Sequence, residues 1–525
     1  MKKVNIRFFL STSWLLAGVI SFLGVASANA QITLLRSVEV DQEVPDRGQY
    51  VSFLDMANSG MASISDVKVD LSLSSLTENN PMWLGQVYAS LTYGVASEVE
   101  RTAVLLNRPG VSNSNAFGSS LSSLNVTFDD SVMTNIFNAA SGTGTYQADG
   151  RLGVNPYASG VAYNSGNINA GLSALNGSLL DSNRWSLLVA DTQQGGVAKL
   201  NRWGLSITGV AASSGTMDVG AGGSLVASGA GTQNVGATVQ SFSTGGGAVG
   251  LSSAADQVLN LSGGLSGVGE FNKTGLGTVR VGDSSGFTGT LNVNGGKVVV
   301  DGALASGSTT VVRSGGLLGG SGSVGAITGA GTVGPGNSPG ILTATSVDPT
   351  AGTDFKFEFT SLSPTYTSAT GSGNDLLHLT AASPFAGGTF NSGNTISIYL
   401  NSTTITDSLL AGTHTTFSGG FFVNGTYALA SALSPASFAY YTTSASLGTG
   451  SAVDYNGFSY YALNSDIAAK TTLSDTAVTS AGFTTGTVSG TLLTFTAVPE
   501  PSTGSLLAFG LGGLVLTRLL RRKQS

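Results

Sequence analysis

Apolar and polar residues alternate along much of this chain with a period of two. Val67-Lys68-Val69-Asp70-Leu71-Ser72-Leu73 puts Val67, Val69, Leu71 and Leu73 on one face, the pattern of a strand with one side buried. Arg184 to Val189 and Trp203 to Ile207 read the same way, and Asp191-Thr192-Gln193-Gln194-Gly195-Gly196 between them is a turn. No stretch of residues 31–211 shows a helical period with caps. Two packed antiparallel sheets bury such faces, so 31–211 is expected to be an all-β domain.

The pattern then shortens. Residues 211–340 hold 35 of the 75 glycines, with strands of four to six residues between them. Thr278-Val279-Arg280-Val281, Gly289-Thr290-Leu291-Asn292-Val293-Asn294 and Lys297-Val298-Val299-Val300 are separated by Gly-rich turns, and the doublet Gly295-Gly296 returns 20 residues later as Gly315-Gly316. This spacing predicts a parallel β-solenoid over 212–350, with Val298 inside and Lys297 outside. A Gly/Ser linker is the other reading, but a linker has no reason to segregate Val and Leu onto one face. Residues 351–497 continue as β, with Phe355-Lys356-Phe357-Glu358-Phe359 alternating and an aromatic group, Tyr440, Tyr441, Tyr455, Phe458, Tyr460 and Tyr461, placed to close the solenoid. From Thr471 to Thr496 the Ser/Thr/Gly content predicts a spacer.

The two ends describe an export route. Lys2, Lys3 and Arg7 precede an apolar run, and Ala28-Asn29-Ala30 is a small-residue cleavage site for signal peptidase, making 1–30 a signal peptide. At the other end, 498–525, Pro499-Glu500-Pro501 precedes an uncharged run from Gly504 to Thr517 and the cluster Arg518, Arg521, Arg522 and Lys523. The run is short against the roughly 20 residues of a full span, and a snorkelling Arg518 lengthens it. The spacing predicts one short transmembrane helix, its basic end cytoplasmic. Everything before Val498 then lies across the membrane.

Composition narrows the chemistry. There is no cysteine among 525 residues, so disulfides and thiolate sites are excluded. Between the terminal signals stand 15 basic and 28 acidic residues, a body that repels nucleic acid. The two histidines, His378 and His414, have no nucleophile motif beside them and read as surface or turn residues. Ser65 stands three before Lys68, but on a strand that spacing separates the two faces. Gly320/Gly322/Gly325 and Gly329/Gly331/Gly334 fit G-x-G-x-x-G without a following helix, and read as turns. Gly371 to Leu377 resembles a calcium nonapeptide, but such sites share ligands between stacked copies and it stands as one copy, so it also reads as a turn. No enzyme activity is expected, and no cofactor beyond a calcium ion.

Three resemblances follow. Pro499-Glu500-Pro501, the apolar run and the terminal basic cluster resemble the PEP-CTERM sorting signal of Gram-negative bacteria. That resemblance implies processing by an exosortase near Pro499, Glu500 and Pro501, after transient inner-membrane anchoring. Val44-Pro45-Asp46, Leu106-Asn107-Arg108-Pro109-Gly110, Val126-Thr127-Phe128-Asp129-Asp130 and the paired Trp185 and Trp203 strands resemble the P (Homo B) domain of subtilisin-like proprotein convertases, which implies a jelly-roll β-sandwich. The acidic pair Asp129 and Asp130 resembles one in that family, which implies a calcium ion; the residues alone fit a solvated loop as well. The family's acidic residue in the Gly-Asp-Leu turn is here Gln86, and no protease domain precedes. Phe271-Asn272-Lys273-Thr274-Gly275-Leu276-Gly277-Thr278-Val279 and Gly334-Pro335-Gly336-Asn337-Ser338-Pro339-Gly340 resemble autotransporter-associated β-strand repeats, which implies a β-helical stalk. The sequence predicts an exported structural or adhesion protein of the outer surface or matrix. Its expected contacts are exopolysaccharide or surface proteins. The other classes it fits are a glycan- or protein-binding module, with Trp83 and Tyr88 near a turn, and an accessory P domain of serine-type proteolysis.

Overall fold

The computed structural model describes residues 31–497 apart from 57–58, 78–81, 97–98, 113, 122, 140, 152–167, 180–183, 221, 242–247, 337–338, 362–372, 402–414, 446, 464–470 and 484–485. Ala28, Ala30, His414, Gly371 and Ser372 of the nonapeptide-like segment, Pro499, Glu500, Pro501 and the apolar run lie outside the described residues. The fold is all-β, with 60% strand against 5% helix, so backbone ladders carry it. No helix among the described residues is long and apolar enough to cross a membrane.

Residues 31–211 build two antiparallel sheets. One contains Gln31–Glu43, Ala198–Ala211, Met61–Ser75 and Ser123–Phe128, in that order. The other runs Gln49–Asp55, Arg184–Asp191, Val87–Tyr93, Arg101–Asn107. The alternating residues Val67, Val69, Leu71 and Leu73 from one sheet and Trp185, Leu187 and Val189 from the other are all buried. Trp203 Nε1 donates to Ser52 Oγ at 2.9 Å and ties the sheets together, meeting the indole's need for a partner. Trp185 stacks on Tyr93 with ring centroids 4.3 Å apart.

The sheet does not break at position 211. Residues 32–35 pair antiparallel with Ala198–Ala211 on one edge and with Ser224–Ala227 on the other. From there strands pair in parallel. One ladder climbs from Ser224–Ala227 through Val249–Ser252, Glu270–Thr274 and Thr290–Val293, and on to Thr415–Asn424. A second climbs beside it from Thr232–Val235 through Thr278–Val281 and Gly296–Val300 to Ser437–Thr442. Gly296 pairs with Gly316, the 20-residue step visible in the glycine doublets. Apolar rows stack inward rung on rung, as in Leu259, Val279, Val298, Leu318, Val333 and Phe355. Each rung adds about 4.8 Å. The turns stack so closely that a Cβ on Gly322 would stand 1.9 Å from the Gly302 carbonyl oxygen, and both G-x-G-x-x-G segments belong to such turns and short strands.

Three expectations need correction. Val298 is inside, but Val299 in the outward row is also buried. The Lys297 stem crosses this face, its Cε 3.5 Å from where a Gly319 Cβ would stand, so outward here does not mean solvated. The parallel ladders also do not stop near 350. Their step widens to 41 residues at Phe355 and Ile396 and to 42 at Ile398 and Tyr440, and the ladder continues. Finally, the spacer expected over 471–496 is folded. Thr472–Phe483 and Gly486–Ala497 form a hairpin, and Gly486–Ala497 pairs along Thr415–Asn424, the last rung of the first ladder. Its Leu492, Leu493 and Phe495 are buried, each contributing about 1.5–3 kcal/mol. Threonine suits the outward positions of a strand, so a Thr-rich strand has the composition of a spacer.

Candidate functional site

The closing end of the molecule gathers its densest polar chemistry. Phe355, Phe357 and Phe359 point inward, and Glu358 points outward between them. Alternation alone predicts an exposed carboxylate, yet Glu358 is 0% exposed. The hairpin of Gly448–Tyr455 and Phe458–Leu463 pairs with the last rung, Ser437–Thr442, and returns over this face. Tyr455 stacks on Tyr399 at 4.2 Å, Tyr399 stacks on Tyr441 at 4.8 Å, and Tyr460 meets Tyr399 edge-on at 5.0 Å. Tyr460 Oη donates to Glu358 Oε1 at 3.0 Å, and Asn456 Nδ2 donates to Oε2 at 3.2 Å. Asn401 Nδ2 donates to Oε1 as well.

Asp375 lies beside it, also 0% exposed. Gly340 N–H donates to Oδ1 at 2.8 Å and Glu358 N–H to Oδ2 at 2.7 Å. Burial pushes this carboxyl well above the usual range against the pull of those amides, and neighbouring Glu358 adds to the rise. Gly336 and Gly340 both lie against it. Gly336 has φ +84°, and a Cβ there would stand 2.6 Å from Asp375 Oδ1. The distinctive Gly/Pro phrase is therefore matched to a buried acid 35 residues downstream of Gly340. Burial also raises the Tyr455 and Tyr460 phenols. The arrangement is closed, and it fastens the hairpin to the ladder.

The acidic pair near Lys68 is arranged differently. Asp129 Oδ2 accepts from Lys68 Nζ at 2.6 Å and Oδ1 from Ser131 N–H at 2.8 Å. Asp130 Oδ2 accepts from Ser173 N–H at 2.9 Å, while its Oδ1 is buried without a hydrogen-bond partner. Calcium takes roughly six to eight oxygen ligands. Here a lysine ammonium already sits on Asp129, and no group of three acidic or histidine residues suited to a metal occurs among the described residues. The donor set does not fit calcium. Burial raises the nearby Asp66 against the pull of Lys68, with Asp129 and Asp130 adding to the rise.

Ser65 Oγ donates to the Thr208 carbonyl, apart from the Lys68 contact with Asp129. His378 is not at the surface. It is fully buried in Leu376–Leu379, with Nε2 2.8 Å from Asn424 Oδ1 and its ring edge-on to Phe422. Strand Leu376–Leu379 is buried on both faces, which is why a lone polar residue there looks misplaced in sequence. Trp83 is half-buried against Phe117 at 5.6 Å, and Tyr88 is half-buried in Val87–Tyr93. Gln86 is buried, its Oε1 without a partner. Its carbonyl accepts from Thr192 N–H at 2.8 Å, next to the buried Asp191.

Lys273 was not singled out by its sequence context. It occupies an inward row between Leu251 and Val293 and is 0% exposed. Its Nζ donates to the carbonyls of Thr274 at 2.7 Å, Gly275 at 2.8 Å and Gly295 at 3.1 Å. The last belongs to the turn of the next rung. Burial lowers the amine to about 8. A signal was present: alternation from Phe271 puts Lys273 on the inner face.

Residues 497–523 match the family model described as the PEP-CTERM protein-sorting motif. No curated protein matches the chain. The match contains Pro499, Glu500, Pro501, the apolar run and the basic cluster. Its first residue, Ala497, is the last residue of the closing strand Gly486–Ala497. The motif marks the chain as an exosortase-sorted protein, exported to the cell surface of a Gram-negative bacterium, with exosortase as its processing partner.

Proposed function

We propose that the protein is a non-enzymatic structural or adhesive element of the outer surface or matrix. In this reading 31–211 is a P/Homo B-like jelly-roll head. Residues 212–350 and the rungs beyond them are an autotransporter-type β-solenoid stalk, and 498–525 is a transient membrane anchor removed on sorting. Signal peptidase would first release 1–30 after Ala30. One observation carries the reading: backbone pairing is continuous from the head strand Gln31–Glu43 into the first ladder, and from that ladder's last rung into Gly486–Ala497. A head joined through rungs rather than a linker stands off rigidly from the sorted end.

A tag inserted at Met133, which is 96% exposed, tests the arrangement. Antibody should label intact cells, and deleting Gly504 to Ser525 should abolish that labelling. Labelling only after permeabilisation would sink the reading. Fluorophosphonate labelling of residues 31–497, lost on mutating a single serine, would replace it with an enzyme.

A glycan-binding role has one feature in its favour. An open pocket of about 660 Å³ near the closing hairpins is lined by Phe438, Tyr440, Ser431, Ser434, Thr471 and Thr472. Aromatic faces with hydroxyls and no charge suit a neutral saccharide such as an exopolysaccharide unit. Glycan-array binding that disappears with Phe438→Ala would establish it.

A further inference from the structure

The closing strand Gly486–Ala497 is paired on both edges over its last turnless stretch. Thr496 opposes Thr416 on one side and Thr472 on the other; Phe495 opposes Phe417 and Leu473; Thr494 opposes Ser418 and Ser474. Phe495 is fully buried, its ring lying 5.3–6.4 Å from those of Phe417, Phe359, Phe438 and Tyr440. Ala497 still opposes Thr415, and it is also the first residue of the sorting motif. The Pro499-Glu500-Pro501 sequence therefore begins two residues beyond a strand whose backbone is committed to the ladder.

This placement conflicts with processing. An enzyme that reads an extended segment takes up its main-chain N–H and C=O groups, and the strand up to Ala497 is already engaged in the ladder. Reach conflicts as well. Six residues stand between Ala497 and Gly504, where the apolar run starts, and the seven steps along the chain span at most roughly 25 Å. With the strand docked, the last rung is held that close to the bilayer, against an enzyme that must fit between. Drawing out the 12-residue strand adds about 40 Å.

We infer that the sorting enzyme acts on the chain with Gly486–Ala497 out of the ladder, so that docking of this strand and processing exclude one another. The inference rests on the sorting reading of the tail. Docking then closes the first ladder only after the tail is gone. Phe495 and Leu493 serve as the plug that makes the closure last.

The chain has no cysteine, so a staple can be placed cleanly. Ser418 and Thr494 are directly opposed, with hydroxyl oxygens 2.9 Å apart, and Ser418→Cys/Thr494→Cys should oxidise in the envelope. Pulse-chase of the full chain, with thiol alkylation to score the bond, is the measurement. The oxidised double variant should be processed at least tenfold more slowly than either single variant, and reductant should restore the rate. An oxidised chain processed at the normal rate overturns the inference. Phe495→Asp, which cannot seat its plug, should be processed as fast as the parent or faster; a stable, uncut Phe495→Asp precursor also overturns it. Pro501→Ala keeps the two ideas apart, because normal processing of that variant refutes the sorting reading itself, whatever the staple does.

Discussion

The antiparallel head and the parallel ladders bury charge in opposite ways. In the head, Arg151 and Asp149 meet inside the protein, Nε to Oδ1 at 2.6 Å and Nη2 to Oδ2 at 2.8 Å, both residues almost wholly buried. Arg151 Nη2 also donates to the Asn107 carbonyl, and its guanidinium lies 4.5 Å from the Phe137 ring. In the ladder, the Lys273 ammonium is held by three backbone carbonyls, and the Asp375 carboxyl by two backbone amides, Gly340 N–H and Glu358 N–H. Long antiparallel strands throw their loops to the ends, where side chains from distant segments can find each other. Parallel rungs stack turn above turn and set carbonyls at fixed intervals, so the backbone itself becomes the partner.

The sharpest way to break this comparison is to put a charge where the ladder offers no partner. Val298→Asp places a carboxylate in the inward row between Val279 and Leu318. It should cost about 4 kcal/mol or more. Lys297→Asp, half-buried on the outward face, should cost about 1 kcal/mol. Calorimetry of residues 31–497 reads both, and equal shifts would mean that the register is wrong.

The head's ion pair comes next. Arg151→Met strands Asp149, whose carboxyl burial already raises despite the guanidinium. The loss should be about 3–4 kcal/mol, read in denaturant through the buried Trp185. A loss below 1 kcal/mol would mean that the head tolerates a lone buried acid, and the contrast with the ladder would fail.

Lys273→Met removes three donors from carbonyls and should cost about 2–3 kcal/mol. It also carries a pH signature. The folded amine sits near 8, and an unfolded lysine near 10.4. Between those values the unfolded chain holds the extra proton, so wild-type stability rises as pH rises from about 8 to about 10. The Met variant should be flat there. A parallel rise in both proteins would assign the effect elsewhere.

How much of this was legible in sequence depends on how local each cause is. The Val67 to Leu73 alternation and the 20-residue glycine step report neighbours in the chain, and both correspond to observed strands and pairings. The later rungs were hidden because their steps double in length and the inserted loops blur the period. Alternation along Phe355 to Phe359 puts Glu358 on the outward face, where the strand does place it. Its burial depends on a hairpin about 100 residues downstream, and alternation cannot report that. The Thr-rich closing strand was missed because β-branched polar residues have both spacer composition and strand geometry. Asp375 could have been suspected, since the nearby Gly/Pro phrase provides a tight cradle, but only the fold says what the cradle holds. The sorting tail was legible because its signal is linear order, not contact.

The smallest expected effect separates the two regions by pH alone. Asp191 ends the head strand Arg184–Asp191 and is 1% exposed. Burial pushes its carboxyl up from 3.8 to about 6; the Gln193 N–H, 3.1 Å from Oδ1, pulls it down, and Asp46 pushes it further up. Between pH 4 and 6 the folded head therefore holds a proton that the unfolded chain has released. Stability is greatest below about pH 4 for this group, falls as pH rises to about 6, and stays lowered above that. The expected loss across the window is about 2 kcal/mol. Asp191→Asn keeps an acceptor for Gln193 N–H and carries no charge, so it should be level with the parent near pH 4 and more stable than it at pH 7. Urea midpoints of residues 31–497 at pH 4, 5.5 and 7, followed through Trp185 and Trp203 for the head, provide the test. If parent and variant fall together, the burial of Asp191 does not govern the head's response to pH. If the variant is flat while the ladder's own transition moves, the two halves answer to different groups, as their opposite ways of burying charge require.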